Sequence, residues 1–416
     1  MKKSYREISR CRICGNPRLA PVLSLGTQAL TGVFPRSVKQ AVTAGPVDLV
    51  RCEEAPGREA CGLVQLRQSY DKRQMYGKGY GYRSGLNRSM VEHLRRKARA
   101  IAETVSLSSG DLVIDIGSND ATLLNAYGRK DLMLVGIDPS GEKFRKNYRP
   151  PLRLIADFFS ADLVRRRFPG KKAKVVTSIA MFYDLDAPLE FMKQIAGILH
   201  EDGVWVMEQS YLPAMLRTTS YDTVCHEHLE YYGVRQIDWM ARRAGLKITA
   251  VEENEVNGGS FSVTLAKENG PYKTAGVGAW LRKEKKLAGE GPYKQFRERI
   301  EKHKKGLLRF LAGARKRKET VLAYGASTKG NVILQYCGLT PRDIPCIGEV
   351  NPDKFGCFTP GTHIPIIPED RAKALRPDYL LVLPWHFREF ILKKEAAYLK
   401  AGGRFLFPLP KLEVVS

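Results

Sequence analysis

The chain has 416 residues, 43% apolar and 27% charged, a globular balance too long for one ordinary core, which suggests three domains. Met1 to Arg10 is polar and basic, and no run of about 18 apolar residues occurs, so the sequence argues against an export signal or membrane span and for a cytoplasmic protein. The formal charge of +24 suits an anionic partner, but its clusters (Arg95-Arg96-Lys97, Arg165 to Arg167, Lys283 to Lys286, Arg315 to Lys318) are scattered over helical stretches and read as solvated faces. This favours an anionic small molecule over nucleic acid or a membrane as partner, for a monomer or weak dimer.

Residues 1–68 hold four of the eight cysteines. Cys11-Arg-Ile-Cys14 is one C-x2-C knuckle, and Cys52 with Cys61 forms a second, wider pair. Four thiolates complete a tetrahedral Zn²⁺ shell with bonds of about 2.3 Å and leave no open position, so this zinc would be structural. An unexported chain disfavours disulfides. Cys225, Cys337, Cys346 and Cys357 lack such spacing and read as scattered buried residues.

Residues 69–270 open with helical spacing over Met90 to Val105. Leu112-Val-Ile-Asp-Ile-Gly117 then gives a strand ending in an acid and a glycine turn. Strands at Met133 to Ile137, Val175 to Ile179, Gly203 to Glu208 and Lys247 to Glu252 alternate with helices, predicting an α/β, doubly wound parallel sheet. The single glycine of the turn fails the pattern that cradles a pyrophosphate, whereas Asp138, closing the next strand, can accept ribose hydroxyls. S-adenosylmethionine (SAM) fits this arrangement. Asp115 would sit near its cationic end, Gly117 and Asn119 beneath it, Asp138 on the ribose, and Asp157 and Phe158 at the adenine.

Residues 271–416 begin helical and highly charged, from Tyr272 to Arg315. A new strand and glycine turn follow at Val321 to Ala326, with later strands at Ile344 to Gly348, Tyr379 to Leu383 and Arg404 to Phe407, a second Rossmann-like unit.

At Ser220-Tyr-Asp-Thr-Val-Cys-His226-Glu227-His228-Leu-Glu-Tyr-Tyr232 the sequence resembles the nucleotide-sugar C-methyltransferases that act on keto-deoxysugars. The likeness extends, in order, over the four-cysteine module, Tyr80 to Asn87, Gly258-Gly-Ser260, Tyr324-Gly-Ala-Ser-Thr-Lys-Gly-Asn331 and Asn351-Pro to Pro365. It implies a class I SAM-dependent methyltransferase core between a zinc module and a nucleotide-sugar-binding Rossmann-like domain. His228 would be the base that deprotonates carbon beside a ketone, supported by Glu227, with His226 and Tyr221 as further candidates. Tyr82, Asn257, Ser260, Lys329 and Asn331 would face the substrate, and the turn Gly325-Ala-Ser327 would receive phosphate. An imidazole poised near neutral pH suits such a base; H-E-x-x-H, the helical zinc pattern, is absent. Cys225 stands where relatives commonly have tyrosine, and Asn257 where many have histidine. The sugar and acceptor atom therefore stay open, O- or N-methylation of another small molecule being the alternative.

Overall fold

The computed structural model describes residues 4–57, 59–75 and 83–416, and around the cysteines its first strands form a meander. Its strands are β1 (Tyr5–Glu7), β2 (Leu19–Ala29), β3 (Ala44–Cys52), β4 (Val64–Leu66) and β5 (Gln68–Tyr70). β2, β3 and β4 pair antiparallel in sequence, and β1 pairs with β5. The meander is not closed by its own residues: Glu230 and Tyr231, from just after the His-Glu-His segment, pair with Gln65 and Val64. Tyr82 lies outside the described residues.

The middle of the chain gives β6 (Leu112–Ile116), β7 (Met133–Ile137), β8 (Arg153–Ile155), β9 (Ala173–Ile179), β10 (Leu199–Ser210), β11 (Glu230–Tyr231), β12 (Leu246–Asn254) and β13 (Ser260–Lys267). All but β11 build one sheet in the order β12-β13-β10-β9-β6-β7-β8. The continuous apolar runs of its centre reflect burial on both faces. The expected all-parallel sheet needs one correction: β13, a strand the sequence pattern did not separate, runs antiparallel to both neighbours. Only a short connection separates it from β12, too little for a parallel crossover. That turn needs glycine: at Gly259, φ is 117° and a Cβ would lie 2.5 Å from that of Ala214.

A second sheet follows, of β14 (Val321–Tyr324), β15 (Ile347–Glu349), β16 (Ile366–Pro368), β17 (Tyr379–Val382), β18 (Phe405–Phe407) and β19 (Glu413–Val415). Its order is β16-β15-β14-β17-β18-β19, parallel except for β19, so the strand order reverses beside β14. Helix Gly291–Lys316 lays Phe296, Ile300, His303, Leu307 and Leu311 against the core at helical spacing, leaving much of its basic charge in solvent. No helix among the described residues is long and apolar enough to cross a membrane.

The N-terminal meander is wedged between the two α/β units. Val22, Leu49 and Leu66 join the core of the second unit, whereas Cys11, Ile13, Cys61 and Leu63 join that of the first. Arg12, inside the cysteine knuckle, is buried on the backbone carbonyls of Leu66 (2.6 Å) and Gln68 (3.3 Å) and lies 3.6 Å from the carboxylate of Glu230, itself fully buried. Removing one partner of a buried pair strands the other's charge. Glu230→Ala is therefore expected to cost about 3–5 kcal/mol, read as a fall in the denaturation midpoint; an unchanged midpoint would show that the pair does not hold the segment.

Candidate active site

At the carboxyl ends of β6 and β9 lies a cavity of about 900 Å³ lined by Asp115, Gly117, Asn119, Asp138, Phe158, Asn257 and Ser260, all anticipated from sequence. Gly117 has φ of 74°, and a Cβ there would crowd Met181 at 3.1 Å, so both backbone and space require glycine. Left-handed backbone also occurs at the non-glycine residues Asn119, Ala121 and Ala180 around the same strand ends, strain that the packed sheet sustains. Asp138 accepts the backbone N–H of Asn119 (2.7 Å) and of Ser140 (2.6 Å), so it ties the two loops together as well as facing the cavity.

Asp115 is buried and accepts a hydrogen bond from the Thr177 hydroxyl at 2.6 Å. Burial pushes its carboxyl up to about 7, against the Thr177 bond and with help from the Asp138 charge. With no cationic partner among the described residues, this buried acid fits a ligand that brings positive charge, as SAM does. Asp157 does not line the cavity: it is exposed and accepts the N–H of Phe158 at 2.7 Å. The rings of Phe158 and Phe159 line the wall instead, Phe159 packing on Phe191 with centroids 5.0 Å apart.

Glu208, at the end of β10, also lines this cavity and was missed from sequence. It bonds His93 Nε2 at 2.5 Å and Lys97 Nζ at 2.9 Å, and accepts from Asn254 at 3.1 Å. Although burial opposes ionisation, these neighbours hold its carboxyl below the usual range. The available clue was His93 on the apolar stripe of Met90, Leu94, Ala98 and Ile101, a polar residue where only a partnered one is tolerated.

The His-Glu-His segment does not act as one cluster. His226 donates from Nε2 to the Gln28 carbonyl at 3.1 Å and packs edge-on to Tyr70, and burial lowers its pKa to about 4. Glu227 accepts the Thr31 hydroxyl at 3.2 Å and lies against Gly32, where a Cβ would come within 2.8 Å of its Oε1. It is therefore not the group that orients His228. That group is the Thr223 carbonyl, which accepts from His228 Nδ1 at 2.7 Å. Burial first, and the Lys329 charge second, hold His228 down at about 4. Its ring packs on Tyr183, which lines the cavity. Tyr221 turns away, its hydroxyl 3.0 Å from His303 Nδ1.

On the second unit, Asn331 is buried and donates to the Thr31 carbonyl at 2.7 Å. The glycine turn is largely self-satisfied: Ala326 N–H donates to Glu349 at 2.9 Å and Ser327 N–H to the Gly325 carbonyl at 2.9 Å. Lys329, expected to face the substrate, donates from Nζ to the Asn257 carbonyl at 2.7 Å. Its long stem lets it cross to the first unit.

The Sγ atoms of Cys11, Cys14, Cys52 and Cys61 all lie within 4.8 Å of one another. The Cys11–Cys61 and Cys14–Cys52 pairs are 3.5 Å apart. Tetrahedral zinc with bonds of about 2.3 Å spaces its sulfurs by about 3.8 Å, so the cluster fits. Elemental analysis of the purified chain should find about one zinc per chain. Cys14→Ser should lower both zinc content and melting temperature; zinc loss at unchanged stability would remove its structural role. If the cationic end of SAM sits at Asp115, the ionised acid is the form that would bind it. Affinity should fall about tenfold from pH 8 to pH 6 as the acid takes up its proton, following a carboxyl near 7. Calorimetry on Asp115→Asn should give weak, pH-independent binding, and a flat wild-type profile would exclude Asp115 from the cation's site.

Three family models match in succession: a zinc binding domain over residues 11–76, a methyltransferase domain over 90–251 and a C-methyltransferase C-terminal domain over 255–410. The chain is 28% identical over 422 residues to C-methyltransferase NovU of Streptomyces niveus, spanning 100% of this chain and 99% of NovU. Similar solved structures include the methyltransferase bound to the Haloferax volcanii Trm112 activator, with 16% identity, 44% of this chain and 94% of that one covered, and a TM-score of 0.36. Another is the cyclopropane synthase MmaA2 of Mycobacterium tuberculosis, with 15% identity, coverage of 47% and 91%, and a TM-score of 0.35. With the three matched domains in order along nearly its whole length, the protein is a SAM-dependent methyltransferase similar throughout to C-methyltransferase NovU, with a zinc-binding domain before the methyltransferase core and a Rossmann-like domain behind it.

Proposed function

We propose that this enzyme methylates a carbon beside the ketone of a nucleotide-linked keto-deoxysugar, and that His228 removes the proton from that carbon. The observation that carries the reading is the hydrogen bond from His228 Nδ1 to the Thr223 carbonyl, which fixes the tautomer whose Nε2 lone pair is free to accept a proton. With its pKa lowered, His228 is already neutral at physiological pH. Asp115, Gly117, Asn119, Asp138 and Phe158 would hold SAM, which when bound supplies an electrophilic methyl group. Asn257 and Ser260 line the same cavity, and the Asn257 carbonyl is bonded to Lys329 of the second unit. Residues 1–68, 69–270 and 271–416 are read as the zinc, methyltransferase and nucleotide-sugar-binding domains. The last assignment is supported by the reversal of strand order beside β14, the position at which open α/β sheets bind ligands.

The substrate reading is tested by incubating the zinc-loaded enzyme and SAM with keto-deoxysugars linked to thymidine, uridine, cytidine or guanosine diphosphate. One should acquire a carbon-bound methyl group; methylation of none, or on oxygen, overturns it. His228→Asn should bind SAM normally and lose about 10²- to 10⁴-fold in turnover, the usual contribution of a general base. In wild type with S-adenosylhomocysteine in deuterium oxide, the acceptor carbon should exchange its hydrogen, and the variant should not exchange. Near-normal turnover by the variant would eliminate His228 as the base.

A further inference from the structure

Lys329 begins the second turn-to-helix junction of the chain, yet its charge serves the first unit. Asn257, whose carbonyl holds the Lys329 ammonium at 2.7 Å, lines the cofactor cavity, and its left-handed backbone (φ 55°) sets the corner that Gly258 and Gly259 complete. Around the ammonium the two units interlock. Trp385, just after β17, donates from Nε1 to Asp222 at 2.7 Å, and its ring lies 3.2 Å from where a Cβ on Gly258 would stand. Asp222 is wholly buried, and among the described residues its second oxygen and the buried His386 Nδ1 have no hydrogen-bond partner. The Lys329 charge is felt at His228, at His386 and at Asp222. One of the three ammonium protons is placed on Asn257, and the seam holds polar groups still to be satisfied.

A lysine meant for a diphosphate would stand over the Gly325-Ala-Ser327 turn, whose Ala326 and Ser327 N–H groups are already taken by Glu349 and Gly325. This one is bonded to the Asn257 carbonyl in the cavity wall, with His228 in its field and the Asp222 charge opposing the effect of burial on its ammonium.

We propose that Lys329 is the cation that receives the negative charge developing on the acceptor's carbonyl oxygen when His228 takes the neighbouring proton. This rests on the reading of His228 as base. In that step the C–H bond breaks and its proton bonds to Nε2. The electron pair forms the carbon–carbon double bond, and the carbonyl π pair moves onto oxygen, which pairs with an N–H of Lys329. The ammonium keeps its proton throughout. A fixed cation in a site closed to water is worth more than the same contact in solution. The second Rossmann-like domain thus contributes an electrophilic group to the chemistry of the first.

The test compares Lys329→Met, Lys329→Gln and Lys329→Arg with wild type and His228→Asn, as zinc-loaded full chains, on the nucleotide-linked keto-deoxysugar that wild type methylates. Melting temperature and S-adenosylhomocysteine affinity establish that each variant is folded; the glutamine and arginine variants serve if the methionine variant is not. Lys329→Met and Lys329→Gln should lose about 10²- to 10³-fold in kcat, the usual effect of deleting one oxyanion donor, with KM within a few-fold. Lys329→Arg should recover part of the loss. Because the Lys329 charge lowers the His228 pKa, its removal should also move the acid limb of kcat to higher pH. Both neutral variants should lose hydrogen exchange at the acceptor carbon. A large rise in KM with kcat and exchange preserved would make Lys329 a phosphate ligand and overturn the proposal. Turnover and exchange lost in His228→Asn but intact in Lys329→Met would leave the base assignment standing and remove this one. Turnover intact in both would remove the two together.

Discussion

The pairing of Glu230 and Tyr231 with β4 is the constraint on which the rest of the site depends. It stretches the preceding His-Glu-His segment between the meander and the methyltransferase core, so three consecutive side chains leave in different directions. His226 goes to Gln28 and Tyr70, Glu227 to Thr31 and Gly32, and His228 to Thr223 and Tyr183. The buried Arg12 carries the same constraint back to the metal knuckle. A zinc held by the four cysteines would thereby stand one residue from the group that fixes the His-Glu-His segment, and its binding energy would become folding energy of that segment.

Two acids at the cavity show how surroundings decide function. Glu208 is matched by His93 and Lys97 and is electrostatically finished, a fixed part of the wall. Asp115 is equally buried but has a hydroxyl for partner, and burial, helped by the Asp138 charge, raises its pKa. The first can orient neighbours without a ligand; the second gains most when a positively charged ligand arrives. The same reasoning separates His226 from His228. Both are kept neutral by burial, but His226 is packed into the meander, whereas His228 has a fixed tautomer beside a cavity-lining ring.

The two α/β units approach each other through the carboxyl ends of their sheets. Asn257 and Asp222 on one side meet Lys329 and Trp385 on the other. Open α/β sheets bind ligands at these ends, so a seam between two of them brings two crevices together. That geometry suits a substrate with one end reacting and the other end held.

The sequence by itself determined the metal knuckle, the strand–glycine turn around Gly117 and the second acid at Asp138, because each depends on residues close in the chain whose spacing fixes their geometry. It also indicated the two α/β units, through apolar runs and helical spacing that record burial locally. The tertiary structure alone decided the reversed strand β13, the partnering of Glu208 by His93 and Lys97, the exposed placing of Asp157 and the separate fates of His226, Glu227 and His228. It decided too that Lys329 reaches Asn257 rather than the turn it follows. The physical reason is one of range. A turn or knuckle is set by backbone sterics and ligand geometry within a few residues, whereas a long side chain or a buried charge settles on whichever partner the packed chain presents, and here such a partner can be 198 residues away, as Gln28 is from His226.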